Sequence, residues 1–379
     1  MSVIELTTFK VRPERTRAML DARPGMVEAF RRDRRGFVSA RLVRVADDTW
    51  LDFVEWTDDS AWDASRAKGG NQPEIAAFFA TIDELVSSER GVRYDDAEDG
   101  PRRVRTVAYG PEPAQVGELY RPEGPGPFPV VVLAHGGFWT ALYDRRQLTP
   151  LADDLLARGY AVWNVEYRRL GEPGGGWPGT LTDFAAAVDA LAGLGPELDL
   201  ARVVLIGHSA GGHLAAWAAG RATLPDAAPG AGPKVTPVAA VSLAGLLDLR
   251  GGADARLGHE LSDPDLPGPT GAPVDADPRY TGAVAALAGD GLVRAFLGGT
   301  PAEHPDRYTW ATPADAGVPL LVVHGDADEL VPAERARAAF PAETVELPGA
   351  GHFDVIDPAH PSWARVVAWA GEQLAKHAG

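Results

Sequence analysis

A chain of 379 residues, 45% hydrophobic and 23% charged, has material for a sizeable core and is longer than one typical domain. Its formal net charge of −17 argues against a nucleic-acid partner, whose phosphates need a basic face, and the absence of cysteine excludes disulfides, thiolate metal sites and a cysteine nucleophile. No charged-then-apolar leader opens the sequence and no apolar run reaches the ~18 residues of a membrane span, so a cytoplasmic protein without a membrane partner is expected.

Residues 1–95 read as a small α+β domain. Val3 to Val11 is predicted as a strand and is followed by a helical stretch opening at Pro13. A break is expected at Pro24-Gly25, then a second helical piece with Met26, Val27 and Phe30 on one face. Phe37–Val45 and Trp50–Trp56 flank the turn Asp47-Asp48-Thr49, a hairpin pattern. A helix carrying Ile75, Phe78, Phe79 and Ile82 and a strand near Val92 complete a β-α-β-β-α-β order, the ferredoxin-like split unit. Residues 96–103, acidic with a Gly and a Pro, are predicted as a linker.

From residue 104 to 379 the pattern changes. Val104–Tyr109 and Val116–Arg121 read as two antiparallel strands, and Phe128–Ala134 as a strand buried on both faces. Strands at Ala161–Tyr167, Val203–Gly207, Val238–Leu243, Val318–His324 and Thr344–Leu347 alternate with helices at Leu148–Arg158, Leu181–Leu194 and Ala210–Ala219, and a closing helix starts at Pro361. Continuous apolar strands alternating with amphipathic helices predict an α/β fold, a mostly parallel sheet with helices on both faces. A Gly-, Pro- and Asp-rich insertion at about 250–282 interrupts the alternation and is expected to act as a cap near the substrate mouth.

The segment Gly207-His208-Ser209-Ala210-Gly211 is a G-x-S-x-G between a buried strand and a helix rich in small residues. Such a turn holds a serine in a strained backbone, and its glycines let strand and helix approach. Serine needs a base and the base an orienting carboxylate. His352, in the glycine-rich loop Gly349–Phe353, is the candidate base, and Asp326, Asp328 and Glu329 follow the strand ending at His324. Asp248 is a rival acid. The N–H of Ala210, next after the serine, is a candidate oxyanion donor. Trp139 and His208 are candidate substrate contacts, although aromatics and histidines in such loops often serve packing and turn formation instead. Arg168 and Arg169 are expected to form structural ion pairs. No histidine spacing suggests a metal.

The motifs His135-Gly136-Gly137-Phe138-Trp139, Gly207–Gly211, His324–Pro332 and Gly351-His352-Phe353-Asp354 together resemble the esterase/lipase branch of the α/β-hydrolases. Within it the carboxylesterase-like and kynurenine-formamidase-like members share the H-G-G-x-W segment. The resemblance covers roughly residues 104–376 and implies the α/β-hydrolase fold, a catalytic triad of Ser209, His352 and Asp328, oxyanion donors from Gly137 and Phe138 beside Ala210, and no cofactor. Phe138 stands where the hormone-sensitive-lipase-like branch has a third glycine. The expected reaction is hydrolysis of a small carboxylic ester by a serine hydrolase; the alternative is an arylformamidase or amidase.

The element order and hydrophobic pattern of residues 1–95 resemble the dimeric α/β-barrel superfamily that includes antibiotic-biosynthesis-type monooxygenases. That resemblance implies a homodimer through this domain. It also keeps open a bifunctional enzyme with cofactor-free oxygenation, for which Trp50, Trp56, Trp62, Arg93 and Tyr94 are pocket candidates. Core and dimer-interface packing is the favoured role for these aromatics.

Overall fold

The computed structural model describes residues 3–92, 104–262 and 284–377. The chain divides into two compact units, Met1–Pro101 and Arg102–Gly379. The expected linker, Arg93, Tyr94 and the part of the expected insertion from 263 onward lie outside the described residues.

In the first unit, strands β1 (Val3–Lys10), β2 (Phe37–Arg44), β3 (Thr49–Trp56) and β4 (Glu84–Val92) form an antiparallel sheet in the order β2-β3-β1-β4. The alternation of β3 sends Trp50, Val54 and Trp56 into a core with Phe9, Met19, Met26, Phe30, Ile75 and Phe78. Trp50 and Trp56 are thus core residues, and Trp62 has the guanidinium groups of Arg66 and Arg90 at 5.3 and 5.5 Å from its ring.

Helix α1 (Thr16–Asp33) runs through Pro24, where a break was expected. Proline there removes one backbone hydrogen bond and strains the preceding turn, at ~3 kcal/mol. Burial of Met19, Met26, Ala29 and Phe30 on one continuous face offsets that cost, each large side chain contributing roughly 1.5–3 kcal/mol. Two short helices, α2 (Asp59–Lys68) and α3 (Pro73–Phe79), occupy the region where one was expected; Asp58 caps the first by accepting from Ala61 N–H at 2.9 Å. Buried Asp52 forms a double ion pair with Arg23. Burial raises the carboxyl's pKa overall, although the guanidinium pulls against it.

The second unit is an eight-stranded sheet in the order β12-β11-β10-β9-β7-β8-β6-β5, from β5 (Val104–Ala108), β6 (Val116–Tyr120), β7 (Phe128–Ala134), β8 (Ala161–Val165), β9 (Leu198–His208), β10 (Ala239–Leu243), β11 (Leu320–Gly325) and β12 (Glu343–Leu347). β7 to β12 are parallel, while β5 and β6 form an antiparallel edge. Alternate residues of the central strands feed two cores. Val130, Val132 and Leu205 pack with α5 (Gly179–Ala190) and α6 (Ala210–Ala219) on one face. Val131, Leu133 and Ile206 pack with α4 (Thr149–Ala157) and the closing helix Pro361–Ala375 on the other. This two-sided burial is why those strands lack polar alternation.

The chain builds outward from β7 on both sides, so β7 and β9 meet at a topological switch point, where crevices form beyond the carboxyl ends of strands. Their register pairs Ala134 with Gly207, bringing the segments after both strands side by side.

Candidate active site

Ser209 occupies the turn from β9 into α6. A Cβ built on Gly207 would lie 2.0 Å from the carbonyl oxygen of Gly211, and one on Gly211 would lie 2.0 Å from that of Ala134. No side chain fits at either place. The turn holds Ser209 at φ 54° and ψ −119°, a left-handed strain of roughly 1–3 kcal/mol for a residue other than glycine. Its N–H donates to Leu243 O at 2.8 Å, tying the turn to β10.

His352 lies in the loop after β12 and Asp328 in the loop after β11. Nδ1 of His352 is 2.8 Å from Oδ2 of Asp328. A carboxylate oxygen accepts, so Nδ1 carries the proton and Nε2 keeps its lone pair. Asp328 Oδ1 accepts the N–H groups of Leu330 and Val331, each at 2.9 Å. Burial alone would raise this carboxyl's pKa, but the hydrogen bond and charge of His352 and the two amides bring it below its ordinary value. The rival acids are engaged elsewhere: Asp248 caps a helix at Gly251 and pairs with Arg335 at 2.6 Å, and Asp326 accepts from Gly349 N–H at 2.6 Å.

Ser209 and His352 line one pocket with Gly137, Phe138, Tyr143, Gln147, His208, Glu260, Leu261, Leu330 and Phe353. Among the described residues no hydrogen bond joins Ser209 to His352. In resting sites such a bond is often long and tightens only around substrate.

The loop after β7 carries three successive positive φ values, 101° at Gly137, 49° at Phe138 and 56° at Trp139. Among the described residues the N–H groups of Gly137 and Phe138 donate to no backbone acceptor. The N–H of Ala210, at the first position of α6, has no partner within its helix. The loop is held from below. Thr140 donates to Gly137 O through both N–H and Oγ1 at 2.8 Å. His135 stacks on Tyr167 and bonds Glu166 Oε1 at 2.8 Å through Nε2, and Tyr167 O–H donates to His135 O at 2.8 Å. Burial would raise the Glu166 carboxyl, yet His135 and Arg169 hold it below its ordinary pKa. Arg169 also pairs with Glu172, and Arg168 grips Asp183 with two contacts of 2.7 Å, so both arginines are structural.

Of the two expected substrate contacts, one lies in the core and the other lines the pocket. Trp139 is fully buried, stacked on Phe296 at 4.2 Å and edge-on to His213, because its left-handed backbone turns the indole into the core. His208 reaches the pocket, but its Nε2 bonds the carbonyl of His352 at 2.9 Å and its ring packs against His352 and Phe353, so it steadies the loop that carries His352. Glu166 and Gln147 hold the loop after β7 through His135 and the N–H of Gly136, and the sequence did not single them out. Glu166, a carboxylate ending an apolar strand, left a visible signal, whereas Gln147, on a short turn without periodicity, left none.

A serine on a strained strand-to-helix turn, a histidine–aspartate pair at the same sheet edge and a donor-rich loop beside them are features of the α/β-hydrolase class. The alpha/beta hydrolase family model matches residues 131–369, and the chain belongs to that family. The antibiotic biosynthesis monooxygenase model matches residues 2–81, in agreement with the ferredoxin-like first unit. Esterase LipC of Mycobacterium tuberculosis (strain ATCC 25618 / H37Rv) is 29% identical over 67% of this chain and 61% of its own length. Esterase LipQ of the same strain is 28% identical over 60% of this chain and 51% of its own. The chain thus spans between half and three-fifths of these relatives. A truncated carbohydrate esterase from gut microbiota shares the fold with a TM-score of 0.52 and 20% identity, covering 71% of this chain and 95% of that one. The esterase Est2 of Thermogutta terrifontis does so with a TM-score of 0.50 and 21% identity, covering 73% and 92%.

Proposed function

We propose that the second unit hydrolyses small carboxylic esters in two acyl-transfer steps. His352 Nε2 takes the proton of Ser209 as Oγ attacks the substrate carbonyl, and Asp328 orients and stabilises the imidazolium. The N–H groups of Ala210, Gly137 and Phe138 bind the developing oxyanion. Collapse expels the alcohol, protonated by His352, and leaves an acyl-Ser209. Water, activated by the same imidazole, then releases the acid. The observation that carries this reading is the His352–Asp328 bond beside a left-handed Ser209 in one pocket. The esterase relatives support the choice of ester substrates, and the pocket walls of Phe138, Leu261, Leu330 and Phe353 suit an apolar acyl or alcohol group.

Ser209→Ala should lower hydrolysis of p-nitrophenyl acetate by several orders of magnitude, and near-normal turnover by the pure variant would refute the assignment. Turnover of N-formyl anilines beside short acyl esters separates ester from amide preference.

We further propose that the first unit pairs with a second copy of itself. Its sheet face opposite the core carries Ile4, Leu6, Leu51, Phe53 and Val43, aligned across β1, β3 and β2 and only partly covered.

A further inference from the structure

The pocket shared by Ser209 and His352 also carries a charged side chain that the proposed acyl transfer does not use. Glu260, on the turn His259–Ser262, is the single carboxylate among the described residues that line it, and no lysine or arginine joins it there. Its side chain is 40% exposed, so the charge is open to an incoming molecule. Among the described residues its ion-pair partner is His259 at 3.1 Å, and an imidazole offsets a carboxylate only when protonated. Asp328, by contrast, is 1% exposed and engaged by His352 and the amides of Leu330 and Val331.

The other walls are aromatic and aliphatic: Phe138, Tyr143 and Phe353 line the pocket with Leu261 and Leu330. Burial pushes the Tyr143 hydroxyl above its ordinary pKa, so it stays neutral and adds no second charge. A carboxylate beside aromatic rings suits an alkylammonium group. The ring faces attract the cation, its methyl groups bury against apolar walls, and the carboxylate supplies the opposite charge. A second carboxylate on a substrate would be repelled by Glu260 with no lysine or arginine in the lining to offset it. Within the Debye length of ~8 Å at physiological salt, that bias acts without direct contact.

We propose that Glu260 is a specificity-determining residue, biasing the pocket toward esters that carry an alkylammonium group and against esters that carry a second carboxylate. The inference rests on the esterase reading of this pocket and adds the charge class of its substrate. The cation can belong to either half of the ester, the alcohol or the acyl group.

The test measures kcat/KM at pH 8 on two pairs of esters that share a shape and differ by one positive charge. 2-(Trimethylammonio)ethyl acetate is set against 3,3-dimethylbutyl acetate, and ethyl 4-(trimethylammonio)butanoate against ethyl 5,5-dimethylhexanoate, each rate normalised to that ester's hydrolysis by hydroxide. Wild type should prefer the cation by roughly fivefold in at least one pair, and that pair tells which half of the substrate meets Glu260. Glu260→Gln should lose the preference, and Glu260→Lys should turn it toward monoethyl succinate. Wild type alone gives a further readout, because its preference should shrink in about 0.5 M NaCl, where the Debye length falls to roughly 4 Å. The proposal is overturned if wild type treats both pairs alike, if Glu260→Gln keeps the preference, or if salt leaves it unchanged. Ser209→Ala serves as the control, since its retained turnover would sink the parent reading instead.

Discussion

Asp328→Asn isolates the role of the carboxylate with little disturbance of the fold. Its side chain receives three donors, the amides of Leu330 and Val331 on Oδ1 and His352 Nδ1–H on Oδ2. Asparagine offers one accepting oxygen. Facing the two amides satisfies more donors than facing the ring, so the NH2 group lands opposite Nδ1. The imidazole must then present a lone pair at Nδ1 and its proton at Nε2, and it can no longer accept from Ser209. A wrong tautomer of this kind lowers kcat on the order of 10⁴-fold. Loss of the charge-assisted bond to His352 should cost about 2 kcal/mol of stability, because both backbone amides stay paired. Asp328→Ala should match it in activity yet be less stable, two buried N–H groups being left bare. Initial rates on p-nitrophenyl acetate and urea unfolding of both variants provide the measurement. An Asn variant within tenfold of wild-type kcat would show that Asp328 does not set the tautomer.

Gly211→Ala should give no folded second unit, since its methyl would meet Ala134 O at 2.0 Å; a soluble variant with a native circular-dichroism spectrum would contradict that. Burial pushes His208 down to about 3 and His213 to about 4. Between about pH 6.5 and 4 the unfolded chain therefore binds protons that the folded chain refuses, and stability should fall with pH by up to about 1.4 kcal/mol per unit for each histidine. Urea unfolding at pH 7, 6 and 5 reads this, and equal stability across the series would refute it. Phe53→Arg should halve the sedimentation mass of a dimeric wild type without changing esterase turnover; an unchanged mass would discard the sheet-pairing proposal.

The second unit was legible because its strands are buried on both faces and read as unbroken apolar runs, as Val130–Ala134 and Val203–Ile206 do. The residues at its carboxyl edge were legible because close backbone approach demands glycine at fixed places, and Gly207 and Gly211 print that demand into the sequence. Pro24 misled because local propensity says break while the buried face of α1 says continue, and packing outweighs propensity. β4 was seen only near Val92, since its exposed polar residues carry no periodic signal. Trp139 could not be placed from the sequence: which way an aromatic leaves a loop depends on φ, and three consecutive left-handed residues cannot be foreseen from a single glycine pair. Gln147 is defined by what surrounds it in space, and neighbours along the chain say nothing of that.

In the loop after β7, Phe138 offers two independent handles to evolution and to engineering. Its peptide N–H is aimed by the backbone turn, while its ring forms part of the pocket wall. Replacing the ring would therefore redraw which acyl groups fit without moving the amide, provided the newcomer tolerates a left-handed backbone, as asparagine or glycine does. Under the proposed mechanism, selectivity and charge stabilisation could then drift separately, though one residue would carry both.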